Sequence, residues 1–334
     1  MSKRIVGWLA AVGAVIAAPS VWAQGAPQLL WEASQSTSPF VFGATAVAWS
    51  PDGKSVAFGS ADRWVRLRAA ADGSLVRSFL ARKGAVQRVA FSPDGARLGA
   101  IAERSVGAWR VSDGAELGGI ETFAGIPDPA LSPDGKLYGT AVSGTITLAS
   151  LPSLAPVRTI AFGSRGYASR VGTVTFSPDS CTVLATDSQV VKLWRVSDGA
   201  LLATLTGSAP ILFAPDGLSF VTGSATGLSR WRAGDGAALG AIDTHGVSVS
   251  ALAFARNGRS LAAGGYRAFV TADGLWDQVG VVSFIRLADG AILHSYDQET
   301  GIAVLSLAFS PDQTELAFGR YDGTAVLALT PALP

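Results

Sequence analysis

The chain has 334 residues, of which 49% are apolar and 15% are charged, with 39 Gly, 16 Pro and one Cys. This composition excludes a disordered or collagen-like chain, and the single Cys181 excludes an intramolecular disulfide framework and a multi-cysteine metal site. Lys and Arg number 26 against 25 Asp and Glu, so the charge pattern predicts neither a nucleic-acid partner nor an anionic membrane surface.

Residues 1–23 have the features of a secretory signal peptide. Lys3 and Arg4 precede an apolar run over residues 5–18, and Ala23 closes the segment before Gln24. The run is shorter than the roughly 20 residues that a membrane-spanning helix needs. We therefore expect cleavage before Gln24, a periplasmic or secreted protein, and no membrane anchor after cleavage.

A four-residue turn motif then recurs seven times along the chain. Its copies read Ser-Pro-Asp-Gly or a close variant and begin at Ser50, Ser92, Ser132, Ser177, Ala214, Ala255 and Ser310. Short apolar segments precede and follow each copy, as at residues 89–91 and 97–101. Because Pro presets φ and Asp-Gly favours a chain reversal, each copy predicts a β-hairpin.

Two further strands follow each hairpin, for example residues 190–194 and 201–205 on either side of a Ser-Asp-Gly turn. Four strands in about 43 residues are typical of one propeller blade. The sequence thus predicts an all-β fold, a seven-bladed β-propeller of four-stranded antiparallel blades. We expect residues 24–334 to form a single domain.

Residues 174–207 resemble a WD repeat, and the pattern covers nearly all of the chain after the leader. The Trp of that repeat is present as Trp109, Trp194 and Trp231, whereas the first and last units have Arg68 and Ala328. The Asp that follows this Trp in the family is replaced by Arg110, Arg195 and Arg232.

The resemblance also implies a hydrogen-bonded cluster of His, Ser or Thr, Trp and Asp in each blade. Here the Gly-His pair is missing, with His245 the nearest remnant, and only fragments such as Ser60 with Asp62 or Asp187 with Trp194 are expected. We therefore expect blade stability to depend mainly on apolar packing between sheets.

The seventh unit has residues for only three strands. Residues 27–33 resemble the fourth strand of other units, such as residues 199–205. We predict that this N-terminal strand completes the last blade and closes the ring, which pairs an otherwise exposed sheet edge. The extra residues of the sixth unit, 266–280, predict a loop or protruding hairpin.

Motifs for chemistry are scarce. His245 and His294 have no metal-ligand spacing, and we predict no catalytic residue, no metal and no cofactor. The repeated Asp of the turn motif is interpreted as a turn residue, because its side chain can bond nearby backbone amides. We expect Cys181 to be a buried or half-buried thiol rather than a nucleophile.

The function predicted from this pattern is a non-catalytic, exported binding or scaffold protein that holds a protein or peptide partner, and we expect a monomer. Residues 308–318 are also similar to propellers of the periplasmic Tol system, which act through protein contacts. One alternative is a propeller enzyme of the lactonase or quinoprotein type, which needs several inward His, Glu or Asp. Another is a carbohydrate-binding propeller that uses loop aromatics.

The predicted partner-binding face is formed by the connections from second to third and from fourth to first strands. Aromatic and Arg side chains that no strand position explains collect there, and such a composition is typical of interface hot spots. The candidates are Trp64, Tyr167, Tyr266, Trp276, Tyr321, Arg63, Arg165, Arg170, Arg267 and Arg320.

Overall fold

The computed structural model describes residues 27–34, 43–121, 130–142, 144–150, 155–163, 173–187, 189–224, 227–271, 273–298 and 303–329. Over these ranges, 28 strands form seven antiparallel sheets of four strands each. The all-β, seven-bladed propeller prediction is confirmed. The predicted signal peptide lies outside the described residues.

The strands follow one another from the inside of each blade to its outside. Blade 1 has β2 (Ala44–Trp49), β3 (Ser55–Ser60), β4 (Trp64–Ala69) and β5 (Leu75–Leu80). Blade 2 has β6 (Val86–Phe91), β7 (Arg97–Ala102), β8 (Ser105–Arg110) and β9 (Glu116–Glu121). Blade 3 has β10 (Ala130–Leu131), β11 (Leu137–Val142), β12 (Thr145–Ser150) and β13 (Pro156–Ala161). Blade 4 has β14 (Thr173–Phe176), β15 (Thr182–Thr186), β16 (Val190–Arg195) and β17 (Leu201–Thr206).

The remaining blades follow the same order, except that the last takes its outer strand from the N-terminus. Blade 5 has β18 (Ser208–Phe213), β19 (Ser219–Ser224), β20 (Gly227–Arg232) and β21 (Ala238–Asp243). Blade 6 has β22 (Val247–Phe254), β23 (Ser260–Val270), β24 (Trp276–Arg286) and β25 (Ile292–Asp297). Blade 7 has β26 (Val304–Phe309), β27 (Glu315–Arg320), β28 (Gly323–Ala328) and β1 (Gln28–Ser34).

Each repeated Asp is held inside the turn between the first and second strands of its blade. Asp52 Oδ1 accepts hydrogen bonds from the Ser50 hydroxyl at 2.6 Å and from the Lys54 amide at 3.0 Å. The Ser50 hydroxyl, followed by the Lys54 amide, lowers the pKa of the Asp52 carboxyl. The interpretation of this Asp as a turn residue is confirmed.

The turn between third and fourth strands explains the Arg that departs from the resembled repeat. Arg110 Nη1 lies 2.6 Å from Asp113 Oδ2, and Asp113 Oδ1 accepts the Ala115 amide at 2.9 Å. The same ion pair joins Arg195 to Asp198, Arg232 to Asp235 and Arg286 to Asp289. These pairs are exposed, so solvent screens their attraction and their main effect is to orient the turn.

Antiparallel order places the connections at two opposite ends of the ring. We call the end with the first-to-second and third-to-fourth turns the turn face. The other end carries the second-to-third and fourth-to-first connections, and we call it the connection face. All candidate binding residues that the structure describes lie at the connection face.

The core lies between neighbouring sheets. Phe58, Phe220, Phe284 and Phe318 are fully buried, and the ring of Trp109 packs 5.6 Å from that of Phe79. A fragment of the family's hydrogen-bonded cluster remains in blade 5, where Trp231 Nε1 donates to Thr222 Oγ1 at 3.0 Å.

The N-terminal strand closes the ring, as predicted. β1 pairs antiparallel with β28. Trp31 of β1 reaches across to blade 1, where its Nε1 donates to Ala70 O at 2.6 Å and its ring meets Phe58 edge-on at 6.3 Å. Glu32 also pairs with Arg320 at 3.2 Å. The first strand is therefore held by its own sheet and by the next blade.

The insertion of blade 6 is a protruding hairpin. β23 and β24 each have 11 residues, whereas β3 and β4 of blade 1 each have six. The extra length continues the pairing from Tyr266 opposite Gly280 to Val270 opposite Trp276. The hairpin therefore rises from the connection face.

The burial predicted for Cys181 is wrong, because its side chain is exposed. Cys181 lies in the turn just before β15 rather than within the strand, and its Sγ lies 3.5 Å from Asp179 O. Across the described residues, no helix has the length and apolar character needed to cross a membrane.

Candidate functional site

The connection face presents the candidate aromatic residues to different extents. Trp276 is 78% exposed and Tyr321 is 52% exposed, whereas Trp64 and Tyr266 are half-buried. Arg63 is exposed, with a left-handed φ of 74°. Three further candidates, Tyr167, Arg165 and Arg170, lie outside the described residues.

Two candidate Arg residues are held in ion pairs. Arg267 Nη1 on β23 lies 3.1 Å from Asp297 Oδ2 on β25, the outer strand of the same blade. Arg320 is largely buried, pairs with Asp322 at 2.9 Å and with Glu32 at 3.2 Å, and donates to Gln298 Oε1 at 3.1 Å. Arg320 therefore stabilises the ring closure and is poorly placed to bind a partner.

The loop that positions Trp64 is fixed by Asp62. Asp62 Oδ1 accepts the Trp64 amide at 3.0 Å, and Asp62 Oδ2 pairs with Arg66 Nη2 at 2.5 Å. Burial acts to raise the pKa of Asp62, but the bonds from Arg66 and the Trp64 amide outweigh it, so the pKa lies below its usual value. The carboxylate thus stays charged and keeps the loop ordered.

The blade 6 hairpin ends in an apolar tip on both of its sides. Trp276 lies opposite Val270 on one side, and Phe269 lies opposite Asp277 on the other. Phe269, Val270 and Leu275 are 43%, 54% and 65% exposed. Several large apolar side chains so close together in water are typical of an interaction site rather than of isolated surface residues.

The central channel has a volume of about 300 Å³. Hydroxyl and aliphatic side chains from the inner strands line it, among them those of Thr45, Thr173, Ser250 and Leu305. Gln87 and Arg88 complete this part of the lining. The Ser250 hydroxyl donates to Val304 O of the next blade at 2.5 Å, and Thr45 bonds Val86 O in the same way. These bonds join the inner strands of blades 6 and 7 and those of blades 1 and 2 beside the channel.

No group of three or more His, Cys, Asp or Glu side chains that could hold a metal ion occurs within the described ranges. His294 is half-buried in β25. Burial lowers its pKa, and the negative charge of Asp297 acts in the opposite direction. The enzyme alternatives need carboxylate and imidazole groups that point into the channel, whereas His294 lies in the outer strand of blade 6.

Larger openings lie off the axis. The first, about 570 Å³, opens at the connection face between blades 5 and 6, beside the protruding hairpin. The second, about 1000 Å³, is a cleft on the turn face between blades 1 and 2, lined by charges of both signs such as Asp52, Asp94, Arg97 and Arg110. Sequence reasoning missed both, because each forms between residues of different repeats.

The ring of seven four-stranded sheets around a narrow channel defines the protein as a seven-bladed β-propeller. A family model described as WD domain, G-beta repeat matches residues 34–68 and 290–327, which lie in the first blade and in the last two. These matches and the seven-bladed ring together support a WD-repeat propeller. This fold is typical of scaffolds for protein–protein interaction.

Proposed function

We propose that the protein is an exported, non-catalytic binding propeller that holds a protein or peptide partner on its connection face. The observation that carries this proposal is the apolar tip of the blade 6 hairpin. Trp276, Leu275, Val270 and Phe269 are all at least 43% exposed at one end of the ring.

Burial of this tip would drive association. Removing apolar surface from water contributes roughly 25 cal/mol per Å², and aromatic anchors commonly dominate interface energy. Tyr321 is a second exposed aromatic residue on the same face. A partner that covers both would contact two sites on a rigid ring, with little ordering cost on the propeller side.

A polypeptide partner suits this surface better than the alternatives. The enzyme alternative needs carboxylate and imidazole groups in the channel, where the described lining is made of hydroxyls, aliphatic groups, Gln87 and Arg88. The carbohydrate alternative would use Trp276 as a stacking ring, but the adjacent aliphatic Val270 and Leu275 offer no hydrogen bonds to sugar hydroxyls.

The proposal is tested by selecting binders from a displayed library of random peptides on the mature protein. The selected peptides are then titrated against the double variant Phe269→Ser, Trp276→Ser. We expect affinity to fall at least thirtyfold, about 2 kcal/mol, because two anchors are lost. Leu218→Ser is the matched control, since Leu218 is 71% exposed on the turn face.

Unchanged affinity in the hairpin variant, with loss of binding in Leu218→Ser or in variants of the turn-face cleft, would contradict the chosen face. A library that yields no binder, together with a metal or organic cofactor retained in stoichiometric amount by purified protein, would favour an enzyme. Export is tested separately by mass spectrometry, which should show a mature chain that begins at Gln24.

A further inference from the structure

The pocket of about 570 Å³ at the connection face has a lining unlike the hairpin beside it. Its walls come from the fourth-to-first connections on both sides of blade 5, from the end of β19 and from the start of β20. Ser208, Ser224, Asp243, Thr244 and Ser248 are its polar residues. Gly223, Gly227 and Gly246 supply much of the remaining wall.

The pocket exists because blade 5 has small residues where blade 1 has large ones. At the start of the third strand, Gly227 lies opposite Asp243 in blade 5, whereas Trp64 lies opposite Leu80 in blade 1. Gly227 has φ +146°, and an added Cβ would lie 2.3 Å from Ile242 O. The backbone therefore requires Gly here, which leaves the space in front of Asp243 open.

Asp243 gives the pocket its chemistry. Its Oδ1 accepts the His245 amide at 2.7 Å, and its other oxygen has no partner in the described part of the chain. Ser224 and Ser248 line the same space. Among the described lining residues there is no Lys, Arg or aromatic ring. The nearby Arg267 is paired with Asp297 at 3.1 Å, so it does not neutralise Asp243 directly.

A carboxylate with hydroxyl neighbours and no counter-cation is suited to a cation that donates several hydrogen bonds. Ammonium and guanidinium groups have three and five N–H donors and no acceptor. A sugar ring is a poorer fit, because the lining has no aromatic face on which to stack. The volume of about 570 Å³ is ample for one long basic side chain.

We propose that this pocket binds a Lys or Arg side chain of the polypeptide held on the connection face, an inference that rests on the proposed function. The pocket adjoins the hairpin, since Ser248 pairs with Tyr266 and Val247 pairs with Arg267 across β22 and β23. A peptide could therefore place an apolar segment on the hairpin tip and a basic residue in the pocket. The hairpin supplies affinity, and the pocket selects the charge.

Three short peptides test the pocket directly: acetyl-Gly-Lys-Gly-amide, acetyl-Gly-Arg-Gly-amide and the norleucine analogue, titrated by NMR at low salt. We expect at least one basic peptide to bind about fivefold more tightly than the norleucine peptide. Asp243→Asn should abolish this preference, because the amide oxygen can still accept the His245 amide while the charge is lost.

Asp216→Asn is the matched control within the same blade. Asp216 Oδ1 accepts the Leu218 amide at 2.9 Å, a bond to residue i+2 like that of Asp243, but it lies on the turn face. This variant should keep the full preference for the basic peptide. Ser248→Leu, which narrows the pocket without changing its charge, should weaken the basic peptides and leave folding intact.

Equal binding of the three peptides, or an unchanged preference in Asp243→Asn, would overturn the pocket proposal. Preferential binding of a methyl glycoside that survives Asp243→Asn would overturn it in favour of a sugar. These outcomes are separable from failure of the proposed function. If library peptides bind and lose affinity in the hairpin variant while the three short peptides bind equally, only the pocket proposal is refuted. If a basic tripeptide binds with a preference that depends on Asp243 but the library yields no binder, only the proposed polypeptide scaffold is refuted.

Discussion

The turn face and the connection face are built from the same seven repeats in different ways. On the turn face, the Ser50, Ser92, Ser132, Ser177 and Ser310 hydroxyls all donate to the Asp two residues later. On the connection face, the register position of Trp64 in blade 1 is occupied by Gly227 in blade 5. The turn face repeats one hydrogen-bonded turn, whereas the connection face has side chains of different size and charge and strands of different length.

We interpret this difference as a division between folding, which depends on the turn face, and recognition, which depends on the connection face. Hydrogen bonds inside a turn depend on neighbouring residues, so the same four residues produce the same turn in any blade. A binding surface needs particular side chains at particular places, which repetition cannot supply. We therefore expect changes on the turn face to alter stability and changes on the connection face to alter binding.

The largest expected effect is on the ring closure, which the turn face secures through Trp31. Trp31→Ala removes a buried ring, its bond to Ala70 O and its packing against Gly73. We expect the free energy of unfolding to fall by about 3–5 kcal/mol, measured by urea denaturation. Deletion of residues 27–33 should be more severe, because it also leaves the edge of β28 unpaired.

Trp276→Ala is the control for this loss. Trp276 is 78% exposed, so its removal should change the free energy of unfolding by no more than about 0.5 kcal/mol while weakening peptide binding. If the two Trp variants unfold at the same urea concentration, the expectation that the turn face determines stability and the connection face determines binding is wrong.

A smaller effect is expected within the turn motif. Ser310 is buried, donates to Asp312 at 2.6 Å and accepts the Glu315 amide at 2.9 Å. Ser310→Ala, which copies Ala214 of blade 5, should cost about 1 kcal/mol at pH 7. Ala214→Ser, the reverse graft, should stabilise the protein by a similar or smaller amount.

The Ser310 effect should depend on pH. The Ser310 hydroxyl is the main cause that lowers the pKa of Asp312 in the folded protein. A lowered carboxyl pKa contributes stability above the unfolded pKa, about 3.9, and this stability is lost as the pH falls through the folded value. The difference between wild type and Ser310→Ala should therefore shrink below about pH 4; a difference that grows in acid would contradict this account.

Sequence reasoning could predict the features that depend on neighbouring residues. The turn motif, the role of Asp52 and the closing strand around Trp31 follow from local patterns and repeat counting. The pocket at Asp243 could not be predicted in this way, because it depends on which residue of one strand lies opposite Gly227. The pairing of Arg320 with Glu32 was missed for the same reason, since they are far apart in sequence.

Two of the seven repeated turns between first and second strands have a residue other than Gly at the left-handed position, and they offer a finer test. Ser180 has φ 61° and accepts the Asp134 amide of blade 3 at 3.2 Å. Gln313 has φ 64°, accepts the Arg256 amide at 2.7 Å and donates to Ser310 O at 2.7 Å.

Ser180→Gly should raise the free energy of unfolding by about 0.5 kcal/mol, because relief of the left-handed conformation exceeds the loss of one long, exposed bond. Gln313→Gly should instead destabilise the protein, since two short bonds are lost. Thermal unfolding of both variants measures the signs, and stabilisation in both would show that the bonds between blades contribute little.

The smallest expected effect concerns Cys181, which provides a reporter on the turn face. Its thiol is exposed in the turn just before β15, so one equivalent should react with a maleimide or Ellman's reagent in the native protein. A bulky label at Cys181 should change the affinity of connection-face peptides less than about twofold, because the faces lie at opposite ends of every strand. A thiol that reacts only in denaturant would contradict the exposure, and loss of peptide binding on labelling would place recognition on the turn face.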